Sequence, residues 1–359
     1  MKLCVISLGG KSSLNITNEA KNYFDSTEHI DLRSLDVHAS SDGLKVFSGQ
    51  RELSDFDCVY IRGSYKYTLL QRAVSRAFLN ETYLPIKPAA FSIAHNKFLT
   101  LLELLKNGIH TPKTFFAGTT KAAKKILEEV QYPIIMKIPE GTQGKGVMMA
   151  DSLMAAKTVL DALEAFKQPY IIQEYIDTDF TDIRAVVIGN KVVAMRRRAA
   201  VEEMRANIHA GGKGEICEIS PDVEQIALKS AKVLGADICA VDILEGIKPA
   251  VIEVNLSPGL IGITKALKKN VAQIVAKYLA ERTQEYISNK KEADKKKIID
   301  GMRQKRNKKI ITNLDMRNGM IRLPKFVTDL SEFTINDEVT FVIDKGKIEI
   351  RESKIKKEE

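Results

Sequence analysis

The sequence predicts an α/β protein that ends in a small all-β module. Short apolar runs alternate with helical stretches as far as about residue 284. Two-residue turn signals such as Gly189-Asn190 join neighbouring runs into hairpins. After Thr312 the pattern narrows to strand-like runs around one short helical piece.

A chain of 359 residues leads one to expect about two to three domains. With 44% hydrophobic and 28% charged residues it can build a core, and this excludes a disordered chain, a collagen-like fibre or a small disulfide scaffold. No stretch approaches the roughly 18 uncharged apolar residues of a membrane-spanning helix. The first ten residues read as a buried strand entering a glycine turn rather than as a signal peptide. Cys4, Cys58, Cys217 and Cys239 are far apart, as expected of reduced thiols in a cytoplasmic protein. The net charge of +9 is uneven: +4 over residues 1–284, +6 over 285–310 and −1 over 311–359. The basic excess is thus a linker property. It fits a solvated tether, or a contact with phosphates or an acidic partner.

In chain order, Leu3–Leu8, Val37–His38 with Leu44–Phe47, and Cys58–Ile61 read as strands, and Asn18–Phe24 and Tyr67–Leu79 as helices. Ile93, Phe98, Leu101, Leu102 and Leu105 share one helical face, so a helix is expected over 93–107, stopped by Gly108 and Pro112. Ile134–Ile138 is a strand, Glu140–Gly146 a glycine loop and Val147–Ala150 the returning strand. Asp151 or Ser152 caps a helix to about Phe166, and Ile171–Ile176 is a further strand. Asp182–Ile188 and Lys191–Met195 flank the Gly-Asn turn. A helix opens at Pro221 and closes near Gly235, before strands Ile238–Leu244 and Ala250–Asn255. A last helix starts near Val271. The tail offers strands Met320–Leu323, Glu338–Ile343 and Lys347–Ile350 and a helical piece near Val327–Leu330.

Three features carry chemistry. In Glu140-Gly141-Thr142-Gln143-Gly144-Lys145-Gly146 three glycines leave backbone amides open to a phosphate chain. This is not a Walker A loop, because Gly146 and Val147 follow the lysine and the next element is a strand. A glycine hairpin alone is an ordinary turn; with Lys137 before it and Lys97 on the earlier helix it becomes a candidate phosphate clamp. Second, Asp242 lies inside an apolar strand, and Glu253 and Asn255 share one face of the next. Buried carboxylates need cations, so the set is either a structural ion pair or a Mg²⁺ site; the alternation favours metal. Third, Arg184, Arg196, Arg197, Arg198, Arg205, Asn207 and His209 cluster on two strands and a loop, and arginine suits bidentate contact with carboxylates and phosphates. A loop histidine gives no ground for assigning His209 to catalysis.

The ordered set Ser92-Ile93-Ala94 with Lys97, Ile135–Val147, Gln173-Glu174-Tyr175-Ile176 with Asp182-Ile183-Arg184, Arg197-Arg198-Ala199 with Arg205–His209, Val241–Leu244 and Glu253–Leu260 resembles the ATP-grasp ligases of the RimK type, over about residues 1–284. The resemblance implies an ATP-grasp fold in three parts: an N-terminal domain (1–92), a central lid domain (93–170) and a C-terminal domain with the metal site (171–284), here followed by a basic linker (285–311) and the β module (312–354). It implies ATP held between two antiparallel sheets by Lys97, Lys137 and the loop residues Glu140, Gly141, Gln143, Gly144 and Gly146. Gln173, Glu174, Tyr175 and Ile176 would form the adenine hinge, and Asp182 would reach the ribose. Asp242, Glu253 and Asn255 would bind two Mg²⁺ ions, replaceable by Mn²⁺. Arg184, Arg205 and Asn207 would serve catalysis, and Arg197, Arg198, Ser257 and Gly259 the substrate loop. Such enzymes join glutamate to a protein or small-molecule carboxylate through an acyl phosphate. Ile263-Thr264-Lys265 departs from the bacterial relatives, which carry an acidic residue there.

Asn318–Lys325, Asn336–Val339 and Asp344–Ile348 are similar to AbrB-like swapped-hairpin modules, with Asn336-Asp337 where that family has Gly-Asp. That resemblance implies a homo-oligomer, a dimer or tetramer. The tail charge of −1 argues against DNA binding by the hairpins. The expected function is therefore an ATP-dependent carboxylate–amine ligase acting on an amino acid and a carboxylate acceptor. The alternative is an ATP-sensing regulator that binds DNA or a partner through linker and tail.

Overall fold

The computed structural model describes residues 1–41, 43–141, 146–199, 213–303, 315–331, 333–334 and 337–353. The chain divides into two compact units, Met1–Glu285 and Tyr286–Glu359.

The first unit opens with β1 (Lys2–Ser7), whose Leu3–Ile6 run is fully buried, and α1 (Lys11–Ala20). β2 (Ser26–Asp31) follows, then the antiparallel strands β3 (Leu35–Ser40), β4 (Gly43–Ser48) and β5 (Arg51–Glu52), then β6 (Cys58–Ile61). β1 pairs in parallel with β2 on one side and β6 on the other. The first helix thus lies earlier than the Asn18–Phe24 expected from apolar spacing. Gly10 is extended and starts it, so its buried face is the modest set Ser13, Ile16, Thr17 and Ala20. α2 (Thr68–Ala77) and α3 (Pro88–Ala94) come next. The single helix expected over 93–107 is broken. Asn96 leaves the helix and accepts from the amides of Phe98 and Leu99 at 3.1 Å each, opening α4 (Lys97–Lys106) as an N-cap.

Two antiparallel sheets follow. The first comprises β7 (Thr114–Phe115), β8 (Ile134–Lys137), β9 (Val147–Ala150) and β10 (Ile171–Glu174), in the order β7-β10-β8-β9. Period-two geometry gives it two unlike faces. Ile134, Met136 and Ile172 pack with Leu127 of α5 (Thr120–Glu129) and Leu160 of α6 (Leu153–Ala165). Ile135, Lys137, Ile171 and Gln173 have the opposite parity in the same register. Ser152, not Asp151, caps α6 by accepting from the Ala155 amide.

The second sheet has the order β13-β12-β11-β14-β15, from β11 (Thr181–Ile188), β12 (Lys191–Arg198), β13 (Lys213–Ile216), β14 (Ile238–Glu245) and β15 (Pro249–Asn255). α7 (Pro221–Leu234) packs on it, and its C-cap Gly235 has φ +68°. α8 (Ile261–Leu267) follows, then α9 (Val271–Arg303), which continues into the second unit. No helix among the described residues is long and apolar enough to cross a membrane. Cys4, Cys58 and Cys239 are buried free thiols; burial pushes Cys58 and Cys239 up to about 12, which leaves them unreactive.

The second unit holds two two-stranded hairpins, β16 (Asp315–Arg317) with β17 (Met320–Arg322) and β18 (Val339–Asp344) with β19 (Lys347–Glu352), around α10 (Lys325–Ser331). Met316, Met320, Leu323, Phe341, Ile343 and Ile348 are exposed.

Candidate active site

The glycine loop begins where β8 ends. Lys137, the last residue of β8, is only 9% exposed and donates from Nζ to Gln173 Oε1 at 2.6 Å. Gln173 in turn donates from Nε2 to Thr114 Oγ1 at 2.7 Å. Burial pulls the Lys137 ammonium down to about 8; Glu253 opposes this and Lys97 adds to it. Glu253, on the second sheet, is thus the carboxylate that acts on this lysine of the first. Lys97 opens α4, donating from its amide to the Pro139 carbonyl at 2.9 Å and from Nζ to the Gly141 carbonyl at 3.2 Å. Lys97 therefore reaches the start of the loop, while Lys137 is held by Gln173 and feels the charge of Lys97. At its far end Gly146 has φ +76°, and a Cβ there would meet Ile138 at 2.9 Å, so only glycine closes this turn. Glu140 is exposed. Gln143 and Gly144 lie outside the described residues.

The hinge residues sit at the end of β10. Glu174 accepts from the Lys113 amide at 2.7 Å, and Tyr175 and Ile176 follow, half-buried.

On the second sheet the pairing register aligns Arg184, Asp242 and Glu253 across β11, β14 and β15. Asp182 lies opposite Arg197 of β12. The three consecutive arginines alternate as a strand must. Arg197 is 4% exposed and points to this charged row, whereas Arg196 pairs with Glu245 and Arg198 with Asp179. Arg197 grips Asp182 in a bidentate pair at 2.6 and 2.7 Å and reaches Asp242 Oδ2 at 3.0 Å. Arg184 holds Asp242 the same way, at 2.8 and 2.7 Å. Asp242 is 3% exposed. Burial alone would raise its pKa, but the two guanidinium groups outweigh burial and hold it low, so it is a carboxylate. Burial pushes Asp182 up, against Arg197. The register shifts at a bulge between Asp242 and Ile243, a device that re-aims side chains near sites.

Asn255 Nδ2 lies 3.5 Å from Asp242 Oδ2. Asp242 and Glu253 thus stand opposite each other across β14 and β15, and Asn255, the last residue of β15, turns its amide toward Asp242. Among the described residues no group of three His, Cys, Asp or Glu could hold a metal by itself. This donor set fits a hard cation that keeps substrate phosphate oxygens and water in its shell, as Mg²⁺ does.

Ser257 and Gly259 lie in the loop after β15. Ser257 Oγ accepts from the Gly63 amide at 2.9 Å, and the space over Gly259 is open. Arg205, Asn207 and His209 lie outside the described residues.

A buried lysine and glutamine on one antiparallel sheet, and a row of arginines and carboxylates on another, are the arrangement expected of an ATP-grasp protein. The model of the RimK-like ATP-grasp domain matches residues 94–279. A probable alpha-L-glutamate ligase of Vibrio atlanticus is 33% identical over 288 residues, 78% of this chain and 95% of that protein. Another, from Syntrophotalea carbinolica, is 37% identical over 237 residues, 65% of this chain and 79% of that one. The fold matches the ATP-grasp ligase PsnB complexed with minimal precursor (TM-score 0.62, 20% identity, 79% of this chain and 98% of that one). It also matches a RimK domain ATP-grasp protein of Sphaerobacter thermophilus (TM-score 0.61, 16% identity, 77% and 99%). The chain belongs to the RimK-like ATP-grasp family. It is an ATP-dependent carboxylate–amine ligase.

Proposed function

We propose that this ligase joins the amine of L-glutamate to the carboxylate of a protein or small-molecule acceptor, using ATP. The arrangement that carries the reading is the cationic pair Lys97 and Lys137 at the start of the glycine loop, within reach of the Arg184–Asp242–Glu253 row. The names of the relatives support glutamate.

An acceptor carboxylate oxygen attacks the γ-phosphorus of ATP; the bond to the bridging oxygen breaks, ADP leaves, and an acyl phosphate remains. The amine nitrogen then attacks the acyl carbon; phosphate leaves and the amine releases its proton. Lys97 and Lys137 hold phosphate oxygens, Gln173–Ile176 seat the adenine and Asp182 orients the ribose. Asp242, Glu253 and Asn255 would hold Mg²⁺, as two ions replaceable by Mn²⁺. When bound, the metal neutralises the charge of the transferring phosphoryl group. Arg184, with Arg205 and Asn207, stabilises that group, and Ser257 and Gly259 line the approach of the amine. Residues 1–92, 93–170 and 171–284 act as N-terminal, lid and metal-bearing domains. The AbrB-like tail (312–354) pairs two copies, and the basic linker sets their separation.

The test is ADP release measured across single amino acids, alone and with candidate acceptors, with products weighed by mass spectrometry. L-glutamate should support release and add whole glutamyl residues to the acceptor. Release with another amino acid and none with glutamate overturns the assignment.

A further inference from the structure

Open α/β sheets take ligands where neighbouring connections leave a strand in opposite directions, beyond the carboxyl ends of the strands. In the order β2-β1-β6 that place lies between the ends of β1 and β6, at Ser7–Gly10 and Arg62–Ser64. Here it is filled by the chain itself. Arg62 is 3% exposed, and each nitrogen beyond its Cδ is engaged: Nε donates to Ser13 Oγ (2.9 Å), Nη1 to Tyr60 Oη (2.8 Å) and Nη2 to the Pro258 carbonyl (2.7 Å). On either side of that last bond, the Gly63 amide donates to Ser257 Oγ and the Leu260 amide to Ser12 Oγ, both at 2.9 Å. Three consecutive attachments thus fasten the loop 257–260 to residues some two hundred positions earlier. Burying a guanidinium is costly unless it is hydrogen-bonded, and here each of its three nitrogens donates, which fixes the side chain in place.

We propose that Arg62 is a positioning residue for the amine-side substrate: with Ser12 and Gly63 it latches the Ser257–Leu260 loop in its working conformation. The inference rests on the reading that this loop lines the amine's approach. Among the described residues, Lys97, Lys137 and Gln173 bond to Gly141, Gln173 and Thr114, and not to Arg62. The latch therefore acts on amine binding and transfer and leaves nucleotide binding alone.

The experiment uses the full chain, with L-glutamate as probe amino acid and ADP release as readout, together with amide hydrogen exchange over residues 256–260. Arg62→Met should raise the KM for glutamate about tenfold or more, since small misplacements of a substrate-positioning group have effects of that order. The KM for ATP should stay within about twofold, and loop exchange should accelerate. Arg62→Lys, which keeps the charge and a hydrogen-bond donor, should recover part of the loss. Should Arg62→Met fail to fold, Ser12→Ala removes only the acceptor for Leu260 and must show the same split, smaller. Gly259→Val adds bulk in open space on the loop. If it moves the glutamate KM and the latch variants do not, the latch is overturned. If Gly259→Val leaves the glutamate KM unchanged, or the parent shows no glutamate-dependent release, the reading beneath it is overturned as well. Equal changes in both KM values also overturn the latch, because they mark a general structural loss.

Discussion

Lys137 is the residue whose environment most constrains its chemistry. Burial lowers it to about 8, so in the free protein it carries its charge at neutral pH and loses it just above. As pH rises through that value, kcat/KM for ATP should fall, since this ratio reports groups of the free enzyme. Lys137→Arg should remove that limb of the profile; an unchanged limb assigns the titration elsewhere. Folding stability should move the opposite way. Between about 8 and the ordinary lysine value of 10.5 the unfolded chain binds the extra proton, so this group's contribution to stability rises with pH. Glu253 gives the second prediction at this scale. It lies opposite Asp242 but, unlike it, is given no arginine partner by the register. Glu253→Gln should leave the melting temperature unchanged, raise the Mg²⁺ concentration needed for half-maximal ADP release, and cut turnover by at least about a hundredfold. Near-normal ADP release at limiting Mg²⁺ removes Glu253 from the metal set. Charge inside an apolar strand drew attention to Asp242, Glu253 and Asn255 in the sequence, but the ion pairs of Asp242 with Arg184 and Arg197 are seen only once the strands are paired. Arg62 drew none, because nothing in Tyr60-Ile61-Arg62-Gly63 tells that its partner is a carbonyl at Pro258.

Among the elements, the β11–β12 hairpin has to satisfy two demands at Gly189. Its φ is +63°, and a Cβ would run into the Tyr278 ring of α9. The turn signal Gly-Asn explains the first demand, and only the packing of α9 reveals the second. Gly189→Ala should therefore cost more than left-handed strain alone, about 2–4 kcal/mol in all, read as a lower denaturant midpoint. Adding Tyr278→Ala should recover part of it; a single mutant within about 0.5 kcal/mol of the parent would mean that α9 yields freely. The elements missed from sequence share a cause. In β2, Ser-Thr-Glu-His-Ile-Asp shows no apolar run, because only Ile30 is buried on this edge of the parallel sheet. α5 carries Ala123 and Leu127 four apart among lysines and glutamates, a stripe too narrow to stand out until β8 and α6 are seen against it. The break between α3 and α4 depended on the Asn96 side chain, whose capping role competes with a continuous apolar periodicity.

At the scale of the whole molecule, the first unit spans Met1–Glu285 and holds both sheets. The second unit is built differently. Its two hairpins are each two strands wide, and Met320, Leu323, Phe341, Ile343 and Ile348 stand exposed on them and beside them. A two-stranded hairpin is marginal alone in water, and a module of about forty residues buries too little apolar area to offset its ordering entropy. A second copy would cover those side chains and pair the open strand edges at once, and a two-fold arrangement does so for both partners with one surface. Deleting residues 290–359 should therefore lower the oligomer mass measured by light scattering while the remaining chain still couples ATP to ligation of a small acceptor. A deletion that leaves the mass unchanged rejects pairing through the tail. Loss of ligation in a chain whose melting transition is intact would instead place the tail's role at the active site. Phe341→Lys separates these outcomes more finely, since it puts a charge on one exposed apolar position without shortening the chain. If the tails pair two copies, it should lower the mass measured by light scattering at unaltered kcat for a small acceptor.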